Sequence, residues 1–190
     1  MKKSKIETAE TRKRIIVSAA REFRERGIEE TSLAELMAAA GLTDGGFYRH
    51  FDSKAQLVQE SVELAVDEVI ATFENAAGRS KGRRAVMAVV EEYLTPEHRD
   101  NLATGCILAA NGSEVARADA AVRERATAGI ARLIDILAER YRQSSDRLAR
   151  QEAIGALSAM VGALTLARVA SDAKLSDEIM QATRRQLGRV

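Results

Sequence analysis

Residues 41–51 read GLTDGGFYRHF, and this stretch decides how the N-terminal part of the chain folds. Gly45 and Gly46 stand side by side between Thr43, which can cap a helix, and an aromatic pair followed by arginine and histidine. A glycine in a helix interior costs about 1 kcal/mol relative to alanine. Two of them require a compensating benefit, and missing side chains supply one where a helix backbone lies close against another surface.

A helical wheel over this stretch separates an apolar face from an open one. Phe47 and Phe51 lie four residues apart on one face and can pack on the preceding helix. The opposite face is centred on Gly45 and Arg49, and the N-terminus of such a helix offers N–H groups to anions. The pattern fits the second helix of a helix-turn-helix, which lies in the major groove of DNA. It fits equally a tight helical hairpin in which glycines let two helices touch.

Composition indicates a globular helical protein without a gross charge excess. The chain has 190 residues, of which 46% are hydrophobic and 30% charged, with one proline, no tryptophan and a net charge of +1. Residues 1–14 are locally basic, because Lys2, Lys3 and Lys5 are followed by Arg12, Lys13 and Arg14. This arm suits contact with a polyanion such as the DNA minor groove, and it is equally compatible with a solvated tail.

The remaining bulk features point to a soluble cytoplasmic protein. One cysteine, Cys106, excludes a disulfide within the chain. No apolar signal-peptide core follows the N-terminal lysines. The longest uncharged run, residues 153–167, is short for a membrane span and is diluted by glycine, serine and threonine. We therefore expect no membrane partner.

Apolar spacing predicts an all-α fold of about nine helices. Ser32 and Glu35 form a predicted capping box, Gly41 a helix stop and Ser53 a further cap. The predicted helices span about 8–26, 32–40, 43–51, 53–78, 83–94, 106–116, 119–142, 146–170 and 176–187. We place a three-helix, helix-turn-helix DNA-binding domain at residues 1–54. A larger helical domain for effector binding and dimerisation follows at residues 55–190.

An ordered set of residues in the first third of the chain carries a family resemblance. These are Thr31, Ser32, Ala40, Gly41, Thr43, Gly45, Phe47, Tyr48, His50, Phe51 and Lys54. In this order and spacing they resemble the DNA-binding signature of TetR-family transcriptional regulators. The resemblance covers roughly residues 10–60 and says little about the rest of the chain.

The resemblance implies two sets of DNA contacts. The first would touch phosphates and set the register on the duplex: Thr31 or Ser32, Thr43, Tyr48, His50 and Lys54. The second would face the bases: Gly45, Gly46, Tyr48 and Arg49. Arg49 is the first choice for a base reader because a guanidinium can pair bidentately with guanine. Packing at the edge of the small domain is the alternative role for Tyr48 and His50.

Asp44 departs from the family pattern, in which this position is often basic or small. Its carboxylate favours the start of a helix but repels phosphate. It can instead accept a hydrogen bond from cytosine.

A dimer is expected because one helix-turn-helix makes few base contacts, whereas two related by a twofold axis read a palindrome. Small residues at helical spacing on two C-terminal helices form the candidate interface: Gly155, Ala159, Gly162, Ala163, Leu166, Ile179 and Thr183. Two such helices from each copy can form a four-helix bundle, and the resemblance implies the same location. The alternative is that these residues belong to the core of a single chain.

The resemblance also implies a small-molecule effector that binds the larger domain and moves the fourth helix. The candidate pocket residues are Phe73, Met87, Val90, Tyr93, Cys106, Ile107, Asn111, Ile130, Tyr141 and Met160. Asn111 can orient a ligand or satisfy a neighbouring backbone group. Cys106 at a helix start can be a reactive thiol that senses electrophiles, or a small buried apolar residue.

The sequence therefore predicts a ligand-responsive DNA-binding regulator, a repressor that binds a palindromic operator as a homodimer. An activator of the same fold and a helical protein-interaction scaffold are the alternatives. No nucleophile–base set, phosphate loop or metal-ligand cluster is visible, so we expect neither an enzyme nor a cofactor.

Overall fold

The computed structural model describes residues 5–78, 80–141 and 145–189. These ranges contain nine α-helices, one short 3-10 helix and no strand, which confirms the all-α prediction. The α-helices are α1 (Lys5–Arg26), α2 (Leu33–Ala39), α3 (Lys54–Ala77), α4 (Arg83–Tyr93), α5 (Pro96–Asp100), α6 (Ile107–Arg117), α7 (Ala120–Arg140), α8 (Asp146–Val169) and α9 (Ala173–Leu187). The 3-10 helix, Asp44–Arg49, lies between α2 and α3 and is called the Gly-Gly helix below.

The first three helices form around two stacked phenylalanines. Phe47 and Phe51 are both buried, as their spacing predicted, and their ring centroids lie 5.5 Å apart. Leu36 of α2 and Phe23 of α1 belong to the same cluster. Burying each such ring contributes roughly 1.5–3 kcal/mol relative to leaving it exposed. This contact holds the Gly-Gly helix in place from below and leaves its other side exposed.

The predicted capping signals at α2 are confirmed. The Glu35 N–H donates to Ser32 Oγ at 3.3 Å, and the Ser32 N–H donates to Glu35 Oε2 at 2.8 Å. The Ser32 hydroxyl also donates to Glu35 Oε2 at 2.6 Å, and this bond, together with the one from the Ser32 N–H, lowers the pKa of Glu35. Gly41 follows α2 with φ +70°, a conformation that favours glycine.

Helices α5 and α9 differ from the sequence-based expectation, and α1 begins at Lys5 rather than near residue 8. The segment around Pro96 forms α5, because Thr95 Oγ1 accepts from the His98 N–H and proline fits the first helical position. Helix α9 begins at Ala173, because the Asp172 carboxylate accepts from the N–H groups of the first turn. Both caps lie outside the apolar patterns from which the helices were predicted.

Helix α3 connects the N-terminal helices to the rest of the chain. It packs against α1 on one side and against α4, α6 and α7 on others, with Val62, Ala65 and Phe73 fully buried. Helix α7 approaches α3 so closely that a Cβ on Gly129 would overlap Val66 Cγ1. The predicted domain boundary at residue 54 coincides with the start of α3 but stays a prediction.

Helix α8 is the one described helix that is long and apolar enough to cross a membrane, by length and composition alone. In the fold it packs against α5, α6, α7 and α9. Ala153, Met160 and Leu164 on its inner side are fully buried. The apolar character of α8 is therefore explained in part by its position in a helical bundle.

Candidate functional site

The exposed side of the Gly-Gly helix has almost no bulk near its start. A Cβ added to Gly45 would meet nothing within 4 Å, and one added to Gly46 would lie an ordinary 3.6 Å from Met37 Cε. Neither glycine has a positive φ. The interior of the chain therefore does not require glycine at either position, which argues against the hairpin interpretation of the sequence.

Two large side chains flank this open surface. Tyr48 is 73% exposed, and its ring packs edge-on against Phe47 at 5.2 Å between centroids. Arg49 is exposed and has no ion-pair or hydrogen-bond partner among the residues that the structure describes. A long unpaired cation beside a flat backbone surface can contact an anionic or hydrogen-bonding partner without first breaking an internal bond.

The start of the Gly-Gly helix differs from what the sequence predicted. Thr43 occupies the N-cap position, but its side chain makes no capping hydrogen bond, so its predicted role as a cap is wrong. Instead, Asp44 Oδ1 accepts from the Gly45 N–H at 2.8 Å. The Asp44 carboxylate therefore occupies the N-terminal end of this helix. The Thr43 hydroxyl remains exposed beside it.

Of the paired alternatives Thr31 and Ser32, only Ser32 reaches the surface. Thr31 is fully buried, and its hydroxyl donates to the Gly27 carbonyl at 2.6 Å. A phosphate contact by Thr31 is therefore wrong for this conformation. Ser32 is exposed at the start of α2.

Lys54 and His50, which follow the Gly-Gly helix, tie the chain after it to α1 and to the turn between α1 and α2. Lys54 Nζ donates to the Ile28 carbonyl at 2.8 Å, which links the start of α3 to the turn between α1 and α2. The His50 carbonyl accepts from Arg12 Nε at 3.2 Å, and Arg12 also forms an ion pair with Glu60. Sequence reasoning missed the positioning role of Arg12, because its partners lie 38 and 48 residues away.

Exposed cations on α1 add to the charge of this end of the molecule. Lys5, Lys13 and Arg14 are exposed. Arg12 lies between them in sequence and contacts both His50 and the Phe51 ring, 4.5 Å from its centroid. Lys2 and Lys3, which were predicted to reach a minor groove, lie outside the described residues.

The candidate dimer stripe is partly accessible: Gly155 and Leu166 are exposed, and Gly162 is half-buried. A Cβ on Gly155 or Gly162 would meet nothing within 4 Å, and Leu166 is 58% exposed. Ala159, Ile179 and Thr183 are half-buried. Ala163 is buried inside the chain, so its assignment to the interface is wrong. The structure adds three exposed apolar residues that the sequence reasoning did not select: Ile154, Val169 and Leu175.

Most of the candidate pocket residues form core packing instead. Seven are buried: Phe73, Val90, Tyr93, Cys106, Ile107, Asn111 and Met160. Met87, Ile130 and Tyr141 are half-buried. A cavity of about 350 Å³ opens between α6, α7 and α8, and of the candidate set only Ile130 lines it. Tyr93 lines a second cavity of about 350 Å³ beside His98. The apolar spacing therefore identified buried positions better than it identified which of them face a cavity.

The contacts of Asn111 and the burial of Cys106 fit the structural alternative for each residue. Asn111 Nδ2 donates to the Phe23 carbonyl at 2.9 Å, so it satisfies a backbone group. Cys106 is 1% exposed, and its N–H donates to His98 Nε2 at 2.9 Å. Within the described ranges no group of three or more His, Cys, Asp or Glu residues is placed to hold a metal ion.

Comparisons with known proteins agree with the geometry of the N-terminal helices. Residues 15–61 match the family model described as bacterial regulatory proteins, tetR family. An uncharacterised HTH-type transcriptional regulator of Mycobacterium tuberculosis is 32% identical over 170 residues, which cover 85% of this chain and 86% of the relative. The HTH-type transcriptional repressor BepR of Brucella suis is 30% identical over 105 residues, 52% of this chain and 50% of that protein.

The likeness extends to the whole fold. A TetR transcriptional regulator from Chloroflexus aurantiacus superposes with a TM-score of 0.77 at 26% identity, covering 96% of this chain and 94% of that one. Proteins of this kind bind DNA, act as dimers and are not enzymes. The chain belongs to the TetR family of bacterial transcriptional regulators.

Proposed function

We propose that this protein is a repressor that binds a palindromic operator as a homodimer, reads it with the Gly-Gly helix and is released by a small-molecule effector. The observation that carries the proposal is that Gly45 and Gly46 are required neither by φ nor by packing within the chain. The similarity to the repressor BepR supports repression rather than activation.

The open glycine surface allows the backbone of the Gly-Gly helix to approach base edges in the major groove. Arg49 then extends to guanine, and a good bidentate pair is worth about 1–3 kcal/mol of discrimination. The hydroxyls of Ser32 and Thr43 and the Tyr48 side chain are exposed beside it. These groups suit phosphate oxygens, which fix the register without carrying sequence information.

In the proposed dimer, α8 and α9 pack against the same helices of the second copy around the twofold axis. Gly155 and Gly162 present open backbone, and Leu166 and Val169 present exposed apolar surface on the same helix. Crossing these helices with their copies completes a four-helix bundle and buries that surface. Two Gly-Gly helices related by this axis read two halves of a palindrome.

The two parts of the chain have separate roles in this proposal. Residues 1–54 read DNA, and residues 55–190 dimerise and bind the effector in the cytoplasm. Helix α3 packs on both parts, so a movement of α3 changes the separation of the two reading helices. Non-covalent release is favoured over attack by an electrophile, because the Cys106 thiol is buried.

A mobility shift with the DNA upstream of the protein's own gene tests the proposal. We expect binding that weakens steeply, by about 10³-fold or more, between 50 and 200 mM salt. Arg49→Ala should weaken it further, whereas Arg84→Ala, at an exposed site on α4, should not. A protein-interaction scaffold would show no salt-dependent binding. Failure to shift this fragment or random duplexes at low salt would contradict the proposal.

A further inference from the structure

The cavity between α6, α7 and α8 has the size and walls of a small-molecule site. Its volume is about 350 Å³, at the lower end of the roughly 300–1,000 Å³ usual for such sites. Its lining is mainly apolar: Leu108, Val115, Ala126, Ile130, Leu157 and Val161. Walls of this kind favour a ligand with an apolar body.

One cation stands at this cavity without a counter-ion. Arg123 lines it together with Thr127 and Ser158, and no carboxylate belongs to the lining. Arg123 has no ion pair within the described part of the chain, whereas Arg125, on the same helix, pairs with Glu63 at 3.2 Å. A guanidinium binds a carboxylate through two parallel hydrogen bonds, so the unpaired charge is complementary to an acidic ligand.

The α6 wall of the cavity is interrupted. Asn111 has φ −123° and ψ 17°, outside the helical range, in the middle of α6. The next residue, Gly112, lines the cavity, and a Cβ added to it would meet nothing within 4 Å. Neither φ nor packing requires this glycine, so its effect is to leave room in the cavity beside a weak point of the helix.

The same helix also holds the turn between α1 and α2. Glu114 accepts hydrogen bonds from the N–H groups of Ile28 at 2.9 Å and Glu29 at 3.0 Å. Asn111 Nδ2 donates to Glu114 at 2.7 Å and to the Phe23 carbonyl at 2.9 Å. Burial raises the pKa of Glu114, but these hydrogen bonds outweigh it and hold the pKa below its usual value. We call Asn111 and Glu114 the α6 clamp.

We propose that this cavity binds an apolar molecule carrying one carboxylate, held by Arg123, and that binding is transmitted to the α1–α2 turn through the α6 clamp. Gly112 and Val115 contact the cavity, while Asn111 and Glu114 hold the turn, so a ligand that displaces α6 strains the clamp. Helix α2 packs directly on the Gly-Gly helix. The inference rests on the proposed function, because the change that the clamp transmits is measured as weaker binding of the protein to DNA.

Calorimetry on the full chain without DNA tests the site. The probes are decanoate and naphthalene-1-acetate, with decanamide and naphthalene-1-acetamide as uncharged controls. We expect at least one carboxylate to bind about tenfold or more tightly than its amide, a difference that Arg123→Gln removes. Arg147→Gln, at an exposed site on α8, is the matched control and should change nothing.

Three results would overturn the proposed site. These are binding of neither carboxylate, equal binding of acid and amide, or a weaker dimer in Arg123→Gln, which would assign the cavity to a second copy of the chain. Gly112→Leu provides an independent check, because its side chain enters open space. It should abolish carboxylate binding while the protein stays folded.

DNA binding measured with the same probes tests the clamp. The carboxylate that binds should weaken operator binding by wild type, and Glu114→Gln should reduce this response to less than about twofold while still binding the probe. Glu124→Gln, at an exposed site on α7, should respond as wild type does. A full response in Glu114→Gln would overturn the relay. If wild type bound the probe but did not bind the operator, the proposed function would fail while the proposed site would stand.

Discussion

Gly129 in α7 and Gly45 in the Gly-Gly helix differ in the space that surrounds them. A Cβ on Gly129 would overlap Val66 of α3, so the close contact of the two helices requires glycine there. A Cβ on Gly45 would meet nothing within 4 Å, and its φ is not positive. The first glycine is explained by packing inside the chain, whereas packing inside the chain does not explain the second, which we propose faces DNA.

The same comparison sorts other glycines of the molecule. Gly105 belongs with Gly129, because an added Cβ would lie 3.1 Å from the Asn101 carbonyl. Gly155 and Gly162 belong with Gly45, because each faces open space on α8. Glycines of the first kind are required by packing within the chain, and we propose that those of the second kind face partners. Substitutions can therefore separate folding from binding.

The largest effect is expected from Gly45→Leu. A leucine side chain would hold the Gly-Gly helix away from the base edges and lower operator affinity about a hundredfold, on the order of 3 kcal/mol. The free energy of unfolding should change by no more than about 0.5 kcal/mol, because the new side chain enters open space. Fluorescence polarisation and thermal unfolding measure the two quantities. Unchanged DNA affinity would show that the open space at Gly45 does not face DNA.

Gly129→Ala should lower stability while leaving DNA affinity unchanged. Overlap with Val66 should lower the free energy of unfolding by about 1–3 kcal/mol, as overpacking does. The folded fraction should bind the operator normally. In the double variant Gly129→Ala/Val66→Ala the two costs should not add, because the smaller side chain removes the overlap. Strict additivity in denaturant titrations would show that the contact is not the cause.

Gly162→Leu tests whether α8 faces a second copy. Because a Cβ there meets nothing within the chain, we expect the monomer to fold and the dimer to dissociate at least about tenfold more readily, roughly 1.4 kcal/mol. Ala128→Leu, at an exposed site on α7, is the matched control. Sedimentation equilibrium measures both variants. An unchanged dimer would place the interface elsewhere.

The smallest effect concerns His98. Its Nδ1 lies 2.6 Å from the Tyr93 carbonyl, and its Nε2 accepts from the Cys106 N–H at 2.9 Å, so the ring is neutral with the proton on Nδ1. Burial lowers the pKa of His98. The unfolded chain therefore gains a proton first, and stability falls as the pH drops below the usual value of 6.5.

Melting temperatures between pH 7.5 and 5.5 measure this effect. We expect wild type and His50→Gln to lose stability over this window and His98→Gln to lose less. A pH dependence that disappears in His50→Gln instead would assign the titration to the other histidine of the chain.

Features that depend on neighbouring residues were predictable from the sequence. The capping box of Ser32 and Glu35 and the shared burial of Phe47 and Phe51 follow from spacing within one or two turns. The Glu114 part of the α6 clamp was not predictable, because Glu114 and Ile28 are 86 residues apart and neither belongs to a pattern. Thr31 fits the family signature, yet its hydroxyl is bound within the chain, so matching a motif did not settle its role.

Hydroxyl-radical footprinting of the full chain on the DNA upstream of its gene tests the central claim most directly. If two copies present their Gly-Gly helices to one palindrome, two symmetric protected patches should appear about one helical turn, or a whole number of turns, apart. Both patches should be lost together in Gly45→Leu. A single protected patch, or protection that survives this substitution, would contradict the account.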